Sequence, residues 1–144
     1  MMTRSQRHAQ AIAKQVGEVK ERGNRKIEKQ YGALCHRFPI MVLRNGLAQA
    51  VGFLAAKSTS DGSTAHGLLL GHLASHLSSG ANATSYQMHV NRADIPEYRR
   101  MTREALAAAV WYKRFAESLL NVDASDTSEV EADSENSATA GGPQ

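Results

Sequence analysis

Residues 12–34 read IAKQVGEVKERGNRKIEKQYGAL, and this stretch decides the fold class. Ile12, Val16, Val19, Gly23, Ile27, Tyr31 and Leu34 recur at intervals of three and four, with charged residues between them. That spacing collects the uncharged positions into one stripe along an α-helix and turns the charges to the other side. Gly23-Asn24 marks a bend or a break in it. The same mode continues outward. Only Pro39 and Pro96 precede residue 121, and no segment sustains a two-residue alternation. The chain therefore reads as all-α, a compact bundle of about five to seven helices.

A helix is expected to begin at Pro39. Projected at about 100° per residue, Ile40, Leu43, Leu47, Ala50, Val51 and Leu54 share one face. Met41, Asn45, Ala48, Gln49, Gly52 and Ala56 line the other, which is uncharged. A solvated face normally carries Lys and Glu, so either this helix is central in the bundle or a partner covers it. Gly46 and Gly52 each cost about 1 kcal/mol relative to Ala, for which close backbone approach is a reason. Ser58–Gly62 and Ser78–Ser85 read as loops on either side of a helix over His66–Leu77. Asp94, Pro96 and Glu97 are the cap, first turn and third residue of another helix. Thr102 reads as a second cap, opening a helix over Arg103–Leu120 after a short kink. In that helix Ala105, Ala108, Ala109, Tyr112, Phe115, Ala116, Leu119 and Leu120 face one way, and Arg103, Ala107, Arg114 and Ser118 the other. Trp111 stands at the border, and Lys113 leaves the axis about 100° from Arg114.

Charge divides the chain. Of 144 residues, the first 120 hold all 17 Lys/Arg and 8 of the 14 Asp/Glu, a balance of +9; residues 121–144 hold the other 6 acids and no base. The expected organisation is a basic helical bundle over 1–120 and a disordered acidic tail over 121–144, too poor in apolar residues to offset chain entropy. The body is long enough to bury a core of its own. Its longest apolar run, Ala105–Tyr112, falls far short of the roughly 18 residues of a membrane span. Cys35 is the single cysteine and has no disulfide partner within the chain, which fits a cytoplasmic protein.

Catalytic chemistry finds no pattern here. His72 and His76 share a helix face, but Leu73-Ala74-Ser75 stands where a zinc hydrolase carries its glutamate, and no third ligand follows at metal-site spacing. Cys35-His36 are neighbours in sequence only, and no Gly-x-Ser-x-Gly elbow or phosphate-binding glycine loop is present. The expectation is a protein with no enzymatic activity, metal or cofactor. What remains is a set of basic side chains distributed over the helices, able to bind phosphates by charge and counterion release without reading sequence.

Several blocks together resemble a known family. Tyr31-Gly32-Ala33-Leu34 is followed by Phe38-Pro39-Ile40-Met41 and then by Asn45-Gly46-Leu47-Ala48-Gln49-Ala50, with Phe53-Leu54 and Lys57 behind them. His72-Leu73, Tyr98, Thr102 and Glu104-Ala105-Leu106 lead to Trp111-Tyr112-Lys113-Arg114-Phe115-Ala116. From about Arg7 to Leu120 the chain resembles the small α-helical subunit of the type III-B CRISPR effector, the Cmr complex. The resemblance implies a non-catalytic subunit present in several copies beside the backbone and large subunits. It implies a basic groove that helps hold target RNA paired to guide RNA. Arg44, Lys57, Lys113 and Arg114 lie within or beside the matched blocks and are the candidate phosphate contacts. For each the plain alternative is a surface charge or an intrabundle ion pair, such as Lys113 with Glu117 one turn on. Trp111 and Phe115 either stack on bases or belong to the core. The competing functional reading is a free-standing basic helical protein that binds nucleic acid without sequence specificity.

Overall fold

The computed structural model describes residues 1–59, 63–78 and 81–126. They form six α-helices: α1 (Arg4–Glu21), α2 (Arg25–Asn45), α3 (Leu47–Ala56), α4 (Ala65–Leu77), α5 (Ala83–Arg92) and α6 (Ile95–Leu120). A short 3-10 turn, Ala124–Asp126, follows. The fold is all-α, with no strand among the described residues.

Local chemistry explains where most helices start. The first N–H groups of a helix have no partner within it, and a short polar side chain at the cap supplies one. Thr3 accepts from the Gln6 N–H while the Gln6 side chain returns to the Thr3 N–H. Asn24, Thr64 and Asp94 accept in the same way from Ile27, Gly67 and Glu97. Asn82 and Ser85 form a reciprocal pair that opens α5. Residues Ala83–Ser85, expected as loop, are therefore the first turn of a helix, and their polar composition is a capping box. Of the two expected loops, residues 60–62 and 79–80 lie outside the described residues.

The break at Gly23-Asn24 is realised, with Gly23 in the left-handed region at φ +70° and Asn24 as the cap of α2. The helix expected from Pro39 is corrected. Pro39 lies inside α2, which runs through it to Asn45, and the chain turns instead at Gly46. A mid-helix proline forfeits one backbone hydrogen bond and costs about 3 kcal/mol. Phe38, Met41 and Val42 are buried on both sides of it, and burial of such side chains contributes about 1.5–3 kcal/mol each. Gly46, at φ +89°, resets the helical phase. Ile40 and Leu43 are consequently 49% and 73% exposed while Met41 is buried, the reverse of a single continuous helix. Beyond the break, Leu47, Ala50, Val51 and Leu54 are buried as their spacing implies. Close approach explains Gly46, where a Cβ would lie 3.1 Å from the Tyr98 hydroxyl oxygen. It does not explain Gly52, whose Cβ would meet nothing within 4 Å.

α6 packs along both α1 and α2, which scarcely touch each other, and α4 packs on α2, α3 and α5. The Arg103–Leu120 face pattern holds: Ala105, Ala108, Ala109, Tyr112, Ala116 and Leu120 are buried, with Phe115 and Leu119 partly so. The second cap at Thr102 is corrected, because α6 is continuous and the Thr102 hydroxyl donates back to the Tyr98 carbonyl at 2.9 Å.

At the far end, Asn121 takes the left-handed conformation at φ 56°, and Val122 folds back into the core. Val122 packs against Gly32, where a Cβ would come within 2.5 Å of its own Cβ. Its N–H donates to Ala116, and its carbonyl accepts from His36 Nε2 at 2.9 Å. Packing thus runs past Leu120, two residues into the segment read as tail; residues 127–144 lie outside the described residues.

The two glycines should respond oppositely to alanine. Gly46→Ala forces a side chain into a left-handed corner and should lower stability by about 1–3 kcal/mol. Gly52→Ala, in an open helical position, should raise it by about 0.5–1 kcal/mol. Urea unfolding of the two variants measures both.

Candidate nucleic-acid interface

The four candidate cations stand on three helices. Arg44 is exposed in the last turn of α2, and Lys57 is the half-buried C-cap of α3. Lys113 and Arg114 are exposed on α6. They do not form one compact site. The Tyr98 hydroxyl ties α6 to the Gly46 corner, accepting from the Ala48 N–H at 2.9 Å, so Arg44 sits beside the start of α6. Lys113 lies 15 residues further along that helix, roughly 22 Å at 1.5 Å per residue. Among the described residues none of the four makes an ion pair. Lys113 does not meet Glu117, which lies 3.9 Å from His36 Nε2 instead.

Other cations are engaged. Arg100 bridges Glu97 and Glu104 on its own helix, Glu104 also faces Arg4, and Arg25 donates to the Leu120 carbonyl at 2.6 Å. The Arg114 Cζ lies over the Trp111 ring, 5.2 Å from its centre, and Trp111 stacks on Phe115 at 5.8 Å. Both rings are partly buried against the core, and Trp111 carries Arg114 on its outer side.

The histidines are mostly structural partners. Tyr31 OH and His72 Nδ1 share a 2.7 Å hydrogen bond, and the His72 carbonyl accepts from Gln15, whose other amide atom accepts from Tyr112 OH. His8 Nδ1 and His76 Nε2 meet at 2.6 Å between α1 and α4. His72 and His76, read as sharing a face, are thus committed to different neighbours. No group of three or more His, Cys, Asp or Glu among the described residues is placed to hold a metal ion. Burial pushes the Cys35 thiol well above its ordinary value, and His36 turns away to the Val122 carbonyl.

Sequence reading missed one grouping, because its members come from three helices with no common spacing. Arg37 of α2 lies over the Phe53 ring of α3, and His66 of α4 meets the same ring edge-on. Lys57 stands close enough to act on His66 by charge.

Fold and surface together define a small basic helical module whose cations are displayed and whose polar interior is committed to packing. No helix among the described residues is long and apolar enough to cross a membrane. The family model for CRISPR-associated protein (Cas_Cmr5) matches residues 4–119, and the chain belongs to that family, the small subunits of the type III-B Cmr complex. The protein described as CRISPR system Cmr subunit Cmr5 of Thermus thermophilus is 34% identical over 120 residues, covering 83% of this chain and 98% of its own. The X-ray crystal structure of a CRISPR-associated Cmr5 family protein from Thermus thermophilus superposes with a TM-score of 0.71 at 33% identity. It covers 82% of this chain and 98% of that one.

The buried imidazoles set a pH dependence. Burial, and then the Arg22 charge, pull His72 from 6.5 down to about 4; burial first also lowers His8, His66 and His76. Between these values the unfolded chain takes up protons that the folded chain refuses. Stability is therefore fully present above about pH 6.5 and falls as pH drops toward 4. His72→Gln should flatten that fall by about 2–3 kcal/mol, read as the difference in urea unfolding between neutral and acidic buffer.

Proposed function

We propose that the protein is a non-catalytic small subunit of a cytoplasmic, RNA-guided, RNA-targeting effector in antiviral defence. Several copies line the complex beside its backbone and large subunits, and the basic body helps hold target RNA paired to guide RNA. One helical body does this work, and the acidic segment after it is an appendage. Family membership carries the reading. The excess of 17 basic over 8 acidic residues in the first 120 supports it, as do four candidate cations without ion pairs among the described residues. Because Arg44 and Lys113 are far apart, the contacts belong to an extended surface that follows a strand rather than to a pocket. The exposed apolar side chains Ile40 and Leu43 on α2 are surface offered to neighbouring subunits.

Reconstitution of the full complex tests both halves. Arg114→Glu with Lys57→Glu should weaken target-RNA binding about tenfold or more at moderate salt and reduce the salt slope by about one unit per lost contact. Unchanged affinity would remove these residues from the interface. Leu43→Asp should leave the isolated chain folded yet keep it out of the assembled particle, as size-exclusion chromatography would report.

A further inference from the structure

The bundle leaves one stripe of α6 uncovered. At about 100° per residue Arg99, Arg103, Ala107, Val110 and Arg114 fall within about 80° of one another, and all five are exposed. The helix is uninterrupted from Ile95 to Leu120, so the stripe is continuous, and Arg99 and Arg114 lie about 22 Å apart at 1.5 Å per residue. Its charge has one sign. Glu97 and Glu104, on one flank, are taken up by Arg100, and Glu104 also faces Arg4. Glu117, at the far end, stands 3.9 Å from His36 Nε2. None of the three arginines meets a carboxylate among the described residues.

Two observations separate this stripe from an ordinary solvated helix face. A face turned to water mixes its signs, with acids and bases three or four residues apart. The flank of α6 does so through Glu97, Arg100 and Glu104, and the stripe does not. Ala107 and the 46% exposed Val110 stand between Arg103 and Arg114, so the middle of the stripe is low and apolar. The Arg114 guanidinium is also held in advance over Trp111, whose ring stacks on Phe115 and packs against the core. A side chain held in this way loses less freedom when it meets a ligand. Fork-shaped donors set along an apolar strip match a polymer in which charged phosphates alternate with the carbon faces of sugars.

We propose that this stripe is a track for the sugar–phosphate backbone of an RNA strand, with Arg99, Arg103 and Arg114 each taking a phosphate and Ala107 and Val110 facing the riboses between. The inference rests on the RNA-holding reading above and deepens it. It joins Arg114 to two arginines outside the four candidate contacts and leaves Lys57, on α3, off the path. Nothing on the track reads base edges, and Arg114 covers the outer side of Trp111, so the contact is indifferent to sequence.

Trp111 is the one tryptophan of the chain, and its emission therefore reports on Arg114 directly. Titrating the full chain with a short oligouridylate should change that emission saturably, and salt should reverse the change. Arg99→Gln and Arg103→Gln, at exposed positions away from the ring, should each weaken binding about three- to tenfold, equally for other sequences, and lower the salt slope by about 0.7 unit per lost contact. Lys14→Gln, at an exposed position on α1, should leave it unchanged. The same variants in the reconstituted complex should weaken target-RNA binding in the same order. Unchanged affinity of the Arg99 and Arg103 variants, in a complex that still binds RNA, overturns the track and leaves the small-subunit reading standing. An equal loss for Lys14→Gln overturns it as well, since the effect is then one of overall charge. Emission that answers oligoglutamate as strongly as oligouridylate overturns the RNA assignment in favour of an acidic protein segment. Absence of RNA binding both by the chain and by the assembled complex overturns the reading on which the track rests.

Discussion

The bundle depends on how closely α1 and α2 can approach α6. The buried face of α6 is narrow because Ala105, Ala108, Ala109 and Ala116 stand where larger side chains would push its neighbours away. Interaxial distance is set by the side chains at the contact, and alanine permits the short end of the range. Close packing then brings polar ends within reach. Tyr112 crosses to Gln15 on α1, Gln15 to the His72 carbonyl on α4, and the His72 ring to Tyr31 on α2. Four helices are tied by a chain of three hydrogen bonds, in which the buried Tyr31 and Tyr112 hydroxyls both find partners. The alanine face supplies proximity, and the tyrosines and Gln15 convert it into a fixed arrangement.

The helical character and the buried stripes of α1 and α6 were legible because a period of three to four needs only one helix to express itself. Asp94 was legible as a cap for the same reason: its partner is three residues away. Thr102 shows the limit of that logic, since a hydroxyl that caps a helix start can equally bond back to a carbonyl inside one. Ser85 erred the other way, its polarity serving a helix start. Gly46 is the most instructive case. A single left-handed residue rotates everything after it, so faces drawn through it mix two phases and place Leu43 inside when it is outside. Pro39 encouraged that error by looking like a beginning.

The candidate interface was legible as a charge count and not as a geometry. Arg44, Lys57, Lys113 and Arg114 are displayed without ion pairs among the described residues, yet separation along α6 divides them. The grouping of Arg37, Phe53 and His66 had no linear signal, because one residue comes from each of three helices. The partners of the histidines were illegible for a related reason. Their spacing on α4 says which face they share, whereas His8 and Tyr31, which hold them, come from distant parts of the chain.

Composition alone would draw the edge of the folded unit at Leu120, where apolar residues give way to acidic ones. The molecule draws it later. Val122 fills the space that Gly32 leaves open, and its carbonyl accepts from the His36 ring. A chain trimmed at Leu120 would lose a plug as well as an appendage: α2 would gain a groove lined by glycine, and a buried imidazole would lose its acceptor. Shortened versions of this protein should therefore retain Val122, since charge and fold change over at different residues.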